Sequence, residues 1–124
     1  MKLRAFILFF LCFNFSSTVQ AISQDESENY LNVKKSYFES DRALNEIYRY
    51  QINKYKEEGG SFYGQKEFRD IPLKQSQQVW IKMRDASCNY ETYESRTGTG
   101  FSTIYAKCLL DKTNERIKYL KDNE

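Results

Sequence analysis

The side chains able to do chemistry in this 124-residue sequence are carboxylates, tyrosines and three cysteines; histidine is absent. The commonest general base and the commonest metal ligand are therefore both missing. Acid–base work by paired carboxylates needs two of them facing each other across a cleft. Pairs such as Asp111 and Glu115 instead stand one helical turn apart on a single segment, as an ordinary solvated face does. Cys88 and Cys108 lack both a Cys-x-x-Cys spacing and a histidine neighbour, the usual surroundings of a reactive thiol. The inventory points to no catalytic residue, no metal ligand and no cofactor site. It points instead to structure and recognition.

What these residues can become depends on where the chain works, and the N-terminus speaks to that. Lys2 and Arg4 precede an apolar run from Ala5 to Phe15 that only Asn14 interrupts. A polar stretch follows, and Val19-Gln20-Ala21 sets small residues at the −3 and −1 positions of a cleavage site. Eleven residues are too few to span a bilayer, which takes about 20. Residues 1–21 therefore read as a cleaved signal peptide, residues 22–124 as the mature domain, and the periplasm as its destination. No membrane segment remains after cleavage. Cys12 follows Leu11, where lipoprotein processing requires a small side chain, so ordinary cleavage is expected.

Cleavage changes the charge balance. The whole chain carries 19 Lys and Arg against 17 Asp and Glu. Losing Lys2 and Arg4 leaves the two signs equal. A nucleic-acid binder needs surplus cations to displace counterions from phosphate, and this chain has none to spare. Export also decides the remaining cysteines: Cys88 and Cys108 are an even pair in an oxidising compartment, so a disulfide between them is expected.

The elements that position these residues are helical. From about Glu28 to Glu58 there is neither Gly nor Pro, and Leu31, Phe38, Leu44, Tyr48, Ile52 and Tyr55 make one broad apolar stripe that Gly59-Gly60 ends. A second helix is expected from Ile71-Pro72, its stripe Leu73, Gln77, Trp80, Arg84 and Cys88 widened by Val79, Ile81 and Met83. A third runs from about Ser102 to Lys121 on Tyr105, Leu109, Thr113, Arg116 and Leu120. The fold class is all-α: three main antiparallel helices, with room for a short fourth helical turn among Phe62, Tyr63 and Phe68 of the 59–70 loop, and one disulfide.

Several stripe positions are polar. Asp41 points with Leu44 and Tyr48, Asn45 lies one turn further on, and Gln77, Arg84, Thr113 and Arg116 fall on the second and third stripes. A charge facing a core is costly unless it is paired and hydrogen-bonded. The economical arrangement has Asp41 accepting from Arg84 or Arg116, with Asp85 serving the other arginine, as a network that fixes helix register.

These positions also carry a resemblance. Asp41-x-x-Leu44-Asn45-x-x-Tyr48, then Leu73-x-x-x-Gln77-x-x-Trp80-x-x-x-Arg84-Asp85-x-x-Cys88, then Cys108-x-x-x-x-Thr113-x-x-Arg116-x-x-x-Leu120, resemble the LprI-like lysozyme-inhibitor family of small exported bacterial proteins. The resemblance runs from about Asn32 to Leu120, and the Gln-x-x-Trp-x-x-x-Arg-Asp-x-x-Cys run is its most specific part. It implies an all-helical, disulfide-bearing domain and a protein partner, lysozyme or another cell-wall hydrolase. On this reading the chain blocks the partner's substrate cleft. The material for it is the loop between the cysteines: Tyr90, Glu91, Tyr93, Glu94 and Arg96, with the Gly98–Gly100 bend. The Gly59–Asp70 loop is the fallback. The alternative function is a periplasmic interaction module with another client, such as an immunity protein or an assembly factor.

Overall fold

Between Ser17 and Glu58 no glycine or proline interrupts the chain, and it forms one helix, α1 (Ser17–Glu58), of 42 residues and about 63 Å. Gly59 stops it: its left-handed φ of 74° turns the chain, and its N–H donates back to Tyr55 O at 3.2 Å. The computed structural model describes residues 17–60 and 64–124, which also form α2 (Asp70–Glu91), a 3-10 turn (Tyr93–Ser95) and α3 (Phe101–Asp122). Among these residues there is no strand, and no helix is long and apolar enough to cross a membrane. The expected signal segment falls partly on residues 1–16, outside those described, and partly on the first residues of α1.

Successive helices run antiparallel, so α1 and α3 lie parallel. Side-chain pairs climb both in the same order: Glu26 with Thr103, Ser40 with Asn114, Gln51 with Leu120, Lys54 with Glu124. The second helix runs back between these levels, from Arg69 stacked on Tyr55 at its start to Arg84 beside Asp41. The core is small. Leu44, Trp80 and Leu120, one from each helix, meet at its centre, with Ile47, Tyr48, Leu73 and Ile117 packed around them.

The third helix matches its expected outline to within a residue at each end, and the first two depart from theirs. The first begins eleven residues before Glu28, because the polar residues from Ser17 onward contain no breaker. Leu31 and Phe38 are exposed, since the stripe drawn through them is wider than the face two neighbouring helices can cover. On α2 the Gln77, Trp80, Arg84 and Cys88 series is buried as its spacing predicts, but Val79, Ile81 and Met83 are exposed. That helix also continues to Glu91, which puts Tyr90 and Glu91 in its last turn and not in the following loop. Pro72 sits in the first turn, where its missing N–H would have no helical partner in any case. Of the 59–70 loop, where a short helical turn is expected, residues 61–63 lie outside those described.

Candidate functional site

The polar stripe residues do converge, with a different division of partners from the one expected. Both carboxylates serve Arg84: Asp85 Oδ1 accepts from Nε at 2.9 Å, and Asp41 Oδ1 lies 3.5 Å from Nη1. Burial lowers the proton affinity of the Arg84 guanidinium, but the Asp85 hydrogen bond and the charges of Tyr37, Asp85 and Asp41 outweigh it and leave its pKa raised. Arg116 has no carboxylate partner among the described residues. It donates from Nε to Gln77 Oε1 at 3.0 Å and from Nη2 to Ser76 Oγ at 2.9 Å, and burial holds its pKa below the ordinary value. The reason is reach: Asp41 and Asp85 lie at one level of the bundle, and Gln77 lies two turns of α2 away at the level of Arg116. Both guanidiniums lie over Trp80, 5.2 and 5.6 Å from its ring centre.

The other members are structural. Thr113, fully buried, donates to Leu109 O at 2.7 Å within its own helix. Asn45 is exposed and not on the core, donating to Asp41 O at 2.9 Å and Asp41 Oδ2 at 3.2 Å. Tyr48 is half-buried against the core cluster. Among the described residues no three His, Cys, Asp or Glu side chains are grouped to hold a metal ion. The constellation's contacts join α1 to α2 through Asp41 and Arg84, and α2 to α3 through Gln77, Ser76 and Arg116.

The segment between the cysteines is held by contacts of its own. Cys88, wholly buried, is bonded to Cys108, with Cα atoms 5.7 Å apart. Thr92 closes α2 over this bond: it is buried, and its hydroxyl donates to Cys88 O at 2.7 Å. The chain then winds on itself and does not splay out. Ser95 N–H donates to Thr92 O at 3.0 Å, Arg96 N–H to Tyr93 O at 3.3 Å, and Gly98 N–H to Ser95 O at 2.9 Å. At the far end the Thr103 hydroxyl donates to Glu26 Oε1 of α1 at 2.7 Å, placing a carboxylate beside the first turn of α3, where the helix dipole favours it. Lys112 holds Glu91 at 2.7 Å.

On this tied-down segment most of the side chains expected to serve recognition face solvent. Tyr90 is 83% exposed and Tyr93 66%. Glu94 and Arg96 are exposed too, with the Arg96 guanidinium 5.2 Å over the Tyr93 ring. Glu91 differs from the other four in being engaged within the bundle. The other connection is also pinned: Arg69 stacks on Tyr55 at 4.4 Å, and a side chain at Gly60 would collide with the Phe68 ring. Phe62 and Tyr63 lie outside the described residues. Buried polar groups that sequence reasoning passed over are Gln51, Asp70, Thr92 and Thr103. Gln51 carried a signal, since it lies seven residues after Leu44 and four before Tyr55 on the same helical face.

The family model described as lysozyme inhibitor LprI matches residues 20–120. No curated protein and no solved structure matches the chain. The match covers nearly the whole sequence and spans all three polar stripes, so the chain belongs to the LprI lysozyme-inhibitor family.

Proposed function

We propose that this chain is an exported, periplasmic inhibitor of lysozyme-like muramidases that lodges the Tyr90–Arg96 surface in the partner's substrate cleft. Lysozymes cut glycosidic bonds with carboxylates set in a concave cleft, so an inhibitor needs only to fill it. The observation that carries the reading is the pairing of exposure with rigidity. Tyr90, Tyr93 and Arg96 stand in solvent on a segment that a disulfide, a buried threonine cap and the Glu26–Thr103 bond hold at both ends. Tyrosine and arginine dominate binding hot spots, and a pre-ordered segment loses little conformational freedom on docking. The guanidinium fork of Arg96 suits a cleft carboxylate. Glu94 can speed encounter with a basic enzyme.

Formal neutrality after residue 21 favours a second reading, an interaction module for a client that is not a basic lysozyme. A turbidity assay of bacterial lysis separates them. Purified oxidised protein should protect cells against at least one lysozyme class at micromolar concentration. The triple variant Tyr90→Ala/Tyr93→Ala/Arg96→Ala should lose protection while its far-ultraviolet dichroism stays helical. No protection by the unaltered protein favours the other client; full protection by the folded triple variant moves the contact to the Gly59–Asp70 loop.

A further inference from the structure

The second helix is apolar on two faces, and the bundle uses one of them. Val79, Met83, Ala86 and Tyr90 follow at steps of four, three and four, the spacing of a single helical stripe. All four are exposed, Val79 at 67% and Met83 at 57%, on a side of α2 well away from Gln77, Trp80, Arg84 and Cys88. Pro72, Gln75 and Ser76 continue this face toward the start of the helix, and Lys82 borders it, so its centre carries no charge. In a chain in which 29% of residues are charged, a contiguous strip without one has the composition of an interface core.

We infer that this face of α2 is a second contact surface for the partner of the cleft-blocking segment, and that it takes an uncharged, apolar strip of protein beside the partner's cleft. The inference rests on the inhibitor reading and adds to it a second wall of the interface. Two observations choose the occupant. First, the strip runs without a break into Tyr90 and from there to Tyr93, the surface assigned to the hydrolase. Second, it is too small to stand alone. From Val79 to Tyr90 it is about 17 Å long, and its four side chains are far fewer than the roughly 20–30 residues a stable interface takes from each partner. Two copies paired on the strip would fall far short of that, whereas a protein already seated on Tyr90–Arg96 extends onto it at little further cost in freedom. Methionine suits such a face, because its flexible thioether adapts to an imperfectly matched surface.

The division of labour gives the test its readout. Charged groups such as Glu94 and Arg96 govern encounter, and uncharged buried contacts govern escape. Binding to an inhibited lysozyme is measured in real time with the purified oxidised protein, with Val79→Ser/Met83→Ser and with each single variant. Both positions are exposed, so the melting temperature should not move. We expect dissociation to quicken about tenfold for the pair, with the association rate and its salt dependence unchanged. Dissociation within twofold of the unaltered protein, with fold retained, overturns the inference and leaves the inhibitor reading standing. Absence of binding by the unaltered protein to every lysozyme class removes that reading and this one with it. A dimer in sedimentation that the paired variant dissociates assigns the strip to a second copy and overturns it by another route.

Discussion

The side-chain amide of Gln51 reaches across the bundle from α1 and donates to the main-chain carbonyl of Leu120 at 2.8 Å, with 1% of the glutamine exposed. Leu120 lies in the last turn of α3, where carbonyl groups have no partner within the helix. Gln51 is therefore a cap supplied by another helix. Gln51→Leu keeps most of the volume but strands that carbonyl out of water, and should cost about 1–3 kcal/mol. Gln51→Ala adds a cavity and should cost about 2–4 kcal/mol. Urea unfolding measures both; a loss below about 0.5 kcal/mol for either would mean that water reaches the carbonyl.

Arg84 has two carboxylates, and that redundancy sets the response to losing one. Asp41 is the more distant, and its side chain is about one-third exposed. Asp41→Ala leaves Arg84 paired with Asp85 at 2.9 Å and should cost about 1 kcal/mol or less. Asp41→Ala together with Asp85→Ala strands the guanidinium beside Trp80 and should cost about 3–5 kcal/mol. The cycle should thus show the double loss exceeding the sum of the single ones. Additive losses would place Arg84 in contact with solvent in place of its partners.

Periodicity located the working face of α2 residue by residue, because a charge or an amide on an apolar stripe is informative when the rest of the stripe is strict. Gln77, Trp80, Arg84 and Cys88 are all buried. The disulfide was equally readable, from compartment and cysteine parity. The long first helix was less so. Its broad stripe includes Leu31 and Phe38, which lie more than a quarter-turn from Leu44 and are exposed. Gln51 is hard to read from sequence for the opposite reason: it is a polar side chain at a core position, and its partner is a distant carbonyl with no side-chain signature. The pairing within the network was beyond the sequence. Which arginine takes two acids depends on the stagger of α2 against α1, and helical spacing fixes a face without fixing a level.

Breaking the disulfide tests fold and function together. Nineteen residues lie between Cys88 and Cys108, and releasing a loop of that size removes about 3 kcal/mol on the chain-entropy account. Cys88→Ser/Cys108→Ser should lower the urea midpoint accordingly, and reduction of the unaltered protein should match it. The core of Leu44, Trp80 and Leu120 lies away from the bond, so helical dichroism should survive in the absence of denaturant. Inhibition should fall further than helicity does, since the freed Thr92–Gly100 segment loses its order. Equal midpoints for the oxidised and reduced protein would show that the loop is held by its backbone turns alone.

Alkaline pH should find a weakness at two tyrosines. Burial raises the pKa of Tyr48, with the charge of Asp70 adding to it. Burial also raises that of Tyr37, opposed by Arg84 and assisted by Asp41, Asp85 and Tyr105. In the unfolded chain a phenol ionises near 10.0, so past that pH the unfolded state sheds protons that the folded state still holds. With more protons bound in the native form, stability falls as pH rises. The contribution is fully present below about pH 10 and is lost as pH climbs through the higher folded values. Melting temperature should drop between pH 9 and pH 11, and Tyr37→Phe/Tyr48→Phe should flatten that part of the curve, since its rings have no proton to lose. Lysine deprotonation acts on both proteins alike, so the difference between the curves isolates the phenols. If the two curves stay parallel over that range, water solvates both hydroxyls in the fold and the burial argument for them fails.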